Sequence, residues 1–457
     1  MRINWIVSAM LIAGCASAQN ILDQYVQVAL KNNLTLHQKE FSLEMSVAAL
    51  KEARGMFLPS LSIEARYTRA GGGREISIPV GDFMNPVYAA LNQLLGQPGQ
   101  TPVFPTNIPN LTEPFLRKKE HESKLRLIQP IFQPALLAQY HIKCSLKTID
   151  QAARDIYRRE LVLEVKTAYF NYLITLQVQT LLHDTEALLI ENQRVSQSLF
   201  DHDKVTKAVV LRAEAELHAF HQQQAEADKQ HHLAMAWFNF LLNRPLDAEI
   251  DAAEFTFDGS AVSRCEGAED RALEQREEIK QLAEAVHITE SQVSAAKSRF
   301  LPGISAVVDY GYQGEVYRFD NHEKFWMANL VASWNLFNGF QDKYKIDQTR
   351  VQKKAALLRL EEVKQQIRLQ VMEARFNLNT AVRKIETARA QLKAARKSYN
   401  LVEVQYGEGM VTHIEYIDAR NSLTQAEVND IVARYDFQIR LAECEKEAAD
   451  YPIRIPD

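Results

Sequence analysis

Between Phe337 and Ala442 the pattern of residues leaves room for one architecture, a very long helical hairpin. No proline or glycine falls between Gln341 and Gln405, and apolar residues recur through Ile367, Val371, Ala374, Leu378, Ala381 and Ile385. Steps alternating between three and four average about 3.5 residues, the period of a coiled-coil seam. A helix of about 65 residues runs roughly 100 Å at about 1.5 Å per residue, far beyond the roughly 8–20 residues usual in compact domains. Gly407 and Gly409 stop it, because glycine takes the left-handed conformation that ends helices. Thr412, with Glu415 three residues on, supplies the capping-box start of a return helix.

The 457-residue chain carries a formal net charge of −5. Its charges are spread along helices, so no basic stripe points to nucleic acid. Residues 1–18 read as an export signal: Arg2 is the positive end, Ile6–Ala13 the apolar core, and Ala16-Ser17-Ala18 the cleavage site. The mature chain then starts at Gln19. A competing reading takes Ile12-Ala13-Gly14-Cys15 as a lipobox that leaves Cys15 acylated. The other cysteines, Cys144, Cys265 and Cys444, are too few and too scattered for a full disulfide framework or a metal-type spacing. Beyond the leader no apolar run is long enough to span a bilayer as a helix, so any crossing falls to strands.

The chain repeats itself. Phe57-Leu58-Pro59-Ser60-Leu61-Ser62 before Tyr67 matches Phe300-Leu301-Pro302-Gly303-Ile304-Ser305 before Tyr310, and Val205-Thr206 matches Val411-Thr412. The offset shrinks by about 40 residues between these matches, so the first copy carries an insertion, the Gly/Pro/Asn-rich stretch 71–114, which reads as an extended loop. Within it, Val87–Leu95 has the composition of a short helix. The first repeat is expected over 19–250, with strands near 60–69 and 122–132 and helices Ile21–Met56, Ala135–Phe200 and Thr206–Leu242. A linker at 251–268 leads to a second repeat over 269–450, with strands near 303–316 and 326–337 and helices Arg271–Arg299, Phe340–Gln405 and Thr412–Ala448. Residues 451–457 form a tail. Pro59 and Pro302 mark the switches from helix to strand, because the residue before proline avoids the helical region. The strands alternate: Leu61, Ile63 and Tyr67 oppose Ser62, Glu64 and Arg66, and Val308 and Tyr310 oppose Asp309 and Gly311. Segments of about ten residues, apolar on one face and polar on the other, carry the outer-membrane strand pattern.

Four strands cannot close a membrane barrel, which starts at about eight, and unpaired strand edges are intolerable in lipid. Strands that span a membrane here must be shared among copies. The fold class is therefore an α+β membrane protein built from a duplicated helix-strand-strand-long helix-helix unit. The proline switches, the duplication, Trp334-Asn335-Leu336-Phe337-Asn338-Gly339 and the turn Tyr406-x-x-Gly409-x-x-Thr412 before Ile417-Asp418-Ala419 resemble the TolC-type outer-membrane efflux factor family over nearly the whole mature chain. The resemblance implies a homotrimer whose twelve-strand transmembrane β-barrel continues into a long α-helical barrel across the periplasm. It further implies an exit duct for efflux or type I secretion, docked to a periplasmic adaptor and an inner-membrane pump.

On that resemblance Glu415 and Asp418 are inward carboxylates near the constriction, and Tyr406 is a latch for the closed end. Like charges around a narrow ring repel one another and attract cations. The polar partners expected for Tyr406 on the first turn fall at Ala208 and Val209, and the basic latch position falls at Val411, so the family latch is not reproduced. Val205, Thr206, Gly409, Val411 and Thr412 are the candidate adaptor-docking tip. His218 and His221 have the i, i+3 spacing of metal ligands, yet nothing in the sequence completes a site. No nucleophile–base set or phosphate loop is evident, so no catalytic residue, metal or cofactor is expected. The competing class is a soluble periplasmic coiled-coil scaffold without a pore.

Overall fold

The computed structural model describes residues 20–95, 101–253, 255, 262–263 and 265–450. The leader, Cys15, much of the 251–268 linker and the 451–457 tail lie outside the described residues. The chain divides into two compact units, one drawn from 1–50, 141–293 and 347–457, the other from 51–140 and 294–346.

The first unit is helical. It holds α1 (described over 20–32), most of α2 (Leu34–Gly55) and of α4 (Pro134–Asp201), α5 (Lys207–Leu241), α6 (Ala268–Gln275), most of α7 (Glu277–Ser298), most of α8 (Gln341–Gly407), and α9 (His413–Ala448). The heptad stripe of α8 is the buried one, with Ile367, Val371, Leu378, Ala381 and Ile385 all nearly inaccessible. One buried cluster of this unit is aromatic: Phe238 meets Tyr25 edge-on at 5.1 Å between ring centres and Tyr169 at 5.5 Å. Tyr169 and Phe238 are fully buried. Truncating rings so placed costs about 3–5 kcal/mol.

Two single helices expected from the sequence are each broken. Asn33 interrupts 21–56: its Oδ1 accepts from the Leu36 amide at 3.0 Å and its Nδ2 donates to the Leu241 carbonyl at 3.0 Å. Arg276 interrupts 271–299 with an extended backbone (φ −66°, ψ 130°). Its guanidinium reaches Gln370 at 2.9 Å and Glu447 at 2.7 Å. The Arg276 break follows from tertiary partners that local propensity does not encode, whereas Asn33 joins a local N-cap bond to its distant one. The cysteines form no full framework among the described residues, but two of them do pair. Cys265 and Cys444, 179 residues apart in sequence, form a disulfide, and Cys144 is free.

The second unit is built on an antiparallel sheet of β1 (Ser60–Arg69), β4 (Lys119–Phe132), β5 (Gly303–Gly314) and β6 (Lys324–Ser333), in the order β1-β4-β5-β6. Strand β4 starts three residues earlier than expected because Lys119 still pairs with Arg69. Strand β6 ends before Trp334, whose indole N–H instead donates to the Phe300 carbonyl at 3.0 Å. The 71–114 stretch is more structured than a loop. It contains β2 (Glu75–Ile78) paired with β3 (Leu111–Pro114), and α3 (Val80–Leu95). Asn85 and Asn92 of α3 each clasp a backbone unit, at Ile108 and Phe104, through paired amide hydrogen bonds of 2.7–3.0 Å.

The register sorts the sheet into two chemistries. Leu61 sits opposite Leu127, and Ile63 opposite Leu125. Leu125 and Leu127 face Tyr310 and Val308, and Tyr310 faces Trp326. This apolar face is open to the surroundings, with Ile63 79% and Trp326 75% exposed. The other face is an ionic ladder. Arg126 grips Asp309 with two bonds of 2.8 and 2.9 Å and meets Glu64 at 3.0 Å, while Lys124 and Arg66 hold Glu122 at 2.7 and 3.1 Å. A bare apolar face backed by a charged one inverts a soluble fold, in which the covered face is the apolar one. Strands β1 and β6 each pair along one edge only.

Candidate gate at the helical turns

Two turns close the long hairpins, α4 to α5 and α8 to α9, and they share one backbone. Asp203 donates to the Phe200 carbonyl and Lys204 to Leu199. Gly409 donates to Tyr406 and Met410 to Gln405, all at 2.8–3.0 Å. These are Schellman bonds, which require a left-handed residue at the first position past the helix. Asp203 (φ 55°) and Gly409 (φ 72°) fill it. Each turn then hands over to an extended threonine, Thr206 or Thr412, that caps the return helix.

The side chains diverge from there. Thr206 makes no capping bond. Thr412 completes a capping box: its hydroxyl accepts from the Glu415 amide at 3.3 Å, and the Glu415 carboxylate accepts from the Thr412 amide at 2.7 Å and hydroxyl at 2.9 Å. Those two bonds, backbone first, hold the Glu415 carboxyl below the ordinary range. Asp418 is exposed on the same side of α9 as Glu415. Val205, Val209 and Val411 are partly covered, whereas Thr206, Gly409 and Thr412 are exposed.

Tyr406 finds its partner on its own hairpin, where sequence reasoning looked only to the first turn. Its hydroxyl lies 3.1 Å from Nδ1 of His413, and its ring stacks on Tyr416 at 4.8 Å. Behind it the Tyr399 hydroxyl donates to Glu403 at 2.9 Å and lies 3.3 Å from the Tyr416 hydroxyl. One turn further along α9, Arg420 is buried at 4% exposure. It bonds Asn421 at 2.8 Å and stands 3.6 Å from Glu216 of α5, which also accepts from Asn421 at 3.2 Å. Burial lowers the affinity of Arg420 for its proton, opposed by Glu216. Glu216, Arg420 and Asn421, with Phe220 and Gln425, line a cavity of about 240 Å³ between the two hairpins. The sequence signal for this cluster was present but unread: His413, Tyr416 and Arg420 recur at three and four residues on the face opposite Glu415 and Asp418. His221, the candidate metal ligand, instead meets Glu186 at 3.1 Å.

With this geometry in hand, the chain can be set beside known proteins. Residues 269–446 match the family described as outer membrane efflux protein. Outer membrane protein OprJ of Pseudomonas aeruginosa is 23% identical over 309 residues, 64% of this chain, and the match spans 62% of that relative's length. The CmeC outer membrane channel of Campylobacter jejuni superposes with a TM-score of 0.73 at 16% identity, over 93% of this chain and 85% of that one. The MtrE outer membrane channel of Neisseria gonorrhoeae, in its open state, gives 0.72 at 17% identity, over 94% and 88%. At such identities the two structures establish a shared fold.

Proposed function

From the match of residues 269–446 to the outer membrane efflux protein family, we propose that this chain is one subunit of an outer-membrane exit duct serving efflux or type I secretion. The observation that carries the reading is the sheet: an exposed apolar face, a charged opposite face, and two unpaired edges. In water the first of these is a liability, and in lipid the third is. Both are resolved when β6 of one copy pairs with β1 of the next and the strands close with their ionic ladders inward. Three copies make twelve strands. The long helices then form the periplasmic tunnel, and substrates pass without bond chemistry, driven by an inner-membrane pump through an adaptor.

In this reading the two turns form the periplasmic mouth. Glu415 and Asp418, repeated around the axis, make a cation-attracting ring. Tyr406 helps hold the mouth shut. Val205, Thr206, Gly409, Val411 and Thr412 meet the adaptor. The Cys265–Cys444 bridge suits this placement, because disulfides persist in oxidising compartments such as the periplasm. A pore-free scaffold leaves the bare apolar sheet face without a purpose.

The test is membrane fractionation combined with cysteine pairs placed along the β1 and β6 edges, in a Cys144→Ser background. The expected result is outer-membrane protein that oxidises into a covalent three-chain species. Soluble periplasmic protein with no cross-link between copies would return the chain to the scaffold reading.

A further inference from the structure

The second turn encloses a titratable group that the gate carboxylates do not touch. His413 is the first residue of α9, and its side chain lies on the buried face with Ile417 and Arg420, 9% exposed. Its Nδ1 meets the Tyr406 hydroxyl. Its Nε2 is enclosed and has no hydrogen-bond partner. A hydroxyl donating to Nδ1 fixes the neutral ring with its proton on Nε2. The family latch partners are replaced here by Ala208 and Val209, so this bond is what Tyr406 has in their stead.

Every element around His413 bears on its charge. From α5 come Glu216 and Arg212, acting in opposite directions. Glu216 is already engaged by Arg420 and Asn421. From α8 comes Tyr406, and from α9 Tyr416, which stacks on Tyr406. The α9 amino terminus adds the positive end of its dipole, which disfavours a cation in the first turn. Burial is the largest influence and disfavours the imidazolium.

We propose that His413 is the positioning residue that holds Tyr406 in the closed turn and lets it go when protonated, so that the periplasmic mouth carries an acid-released latch. The proposal rests on the channel reading above. A proton on Nδ1 turns that atom from acceptor to donor, so the Tyr406 hydroxyl must swing away or reverse. The same proton places a charge in an enclosed site. The sign follows from the depressed affinity: the closed turn keeps His413 neutral, while an opened turn binds the proton at the ordinary value of about 6.5. The closed state is therefore fully favoured above about 6.5 and loses ground as pH falls from there toward the depressed value.

The experiment is hydrogen–deuterium exchange of the full-length protein over residues 399–416, corrected for intrinsic pH dependence, at pH 7.5 and 5.5. Wild type is expected to lose up to about tenfold in protection, the ceiling set by pH 5.5 lying about one unit below the open-turn value. His413→Asn and His413→Gln, neutral side chains that still reach the tyrosine hydroxyl, are expected to hold protection level across that range. Tyr406→Phe is expected to be weakly protected at both values. Level protection in wild type, or an equal fall in both histidine variants, overturns the latch. Channel recordings on the same samples separate the two claims. A conducting pore with level protection sinks the latch alone, and a protein that shows the fall without ever conducting keeps the latch and sinks the duct.

Discussion

The turn after α4 and the turn after α8 are the same piece of backbone used twice. Both end in Schellman bonds, both place a left-handed residue at the same step, and both restart from an extended threonine. Their chemistry is unequal. The first turn has a bare cap, and the third residue of its return helix is Val209. The second has a complete capping box, a tyrosine held by a buried histidine, and an arginine reaching the first hairpin through Glu216. Local physics preserves the frame of a duplicated unit because the frame needs only a left-handed residue and a cap. The side chains are free to specialise, and here the second copy has taken the polar work.

The largest expected effect falls on the ionic tie between Glu216 and Arg420 that links the hairpins at this end. Glu216→Ala leaves Arg420 enclosed without its carboxylate and is expected to cost about 2–3 kcal/mol in denaturant unfolding. Glu216→Leu combined with Arg420→Met, which removes both charges and refills the space, should recover most of that loss. If the single variant is neutral, the specialised cluster is ornamental and the contrast between the turns collapses.

Next comes the left-handed step itself. Gly409→Val is expected to cost about 1–2 kcal/mol, because a branched side chain is crowded in that conformation. Asp203→Gly, at the matching place in the first turn, should be neutral or slightly stabilising. Thermal melts of the pair read the comparison directly.

The caps give a smaller, sharper contrast. Thr412→Ala should lose about 1 kcal/mol, and Thr206→Ala only a few tenths, since only the former hydroxyl makes a capping bond. The smallest effect is the pH dependence of that box. Glu415 is held ionised, so its help is complete above about 4.5 and fades as pH falls through its lowered value. The gap between wild type and Thr412→Ala should narrow below that point in melts taken across pH 3–6, and a gap that is constant there would assign the cap to the hydroxyl alone.

Much of this was legible in the residues. The buried stripe of α8 follows its heptads, the capping box is written as Thr412-x-x-Glu415, and alternation along β1 and β5 sorted the faces of the sheet. What escaped needs three dimensions. Arg276 breaks its helix against Gln370 and Glu447, and Asn33 ties its local cap to Leu241, all distant in sequence. Cys265 finds Cys444 only after folding. Asn85 and Asn92 look like ordinary helix-surface residues until an extended segment lies against them. The pairing of Tyr406 with His413 is hidden for another reason: the family's pattern puts the tyrosine's partners on the first turn, whereas here the partner is a histidine on the same hairpin.

Ion conductance of the purified protein in a planar bilayer, recorded beside the double variant Glu415→Gln, Asp418→Asn, separates a duct from a scaffold. A duct is expected to give discrete, cation-selective channels whose selectivity weakens in the variant. Protein that fails to insert at all, from preparations that remain folded, would contradict it.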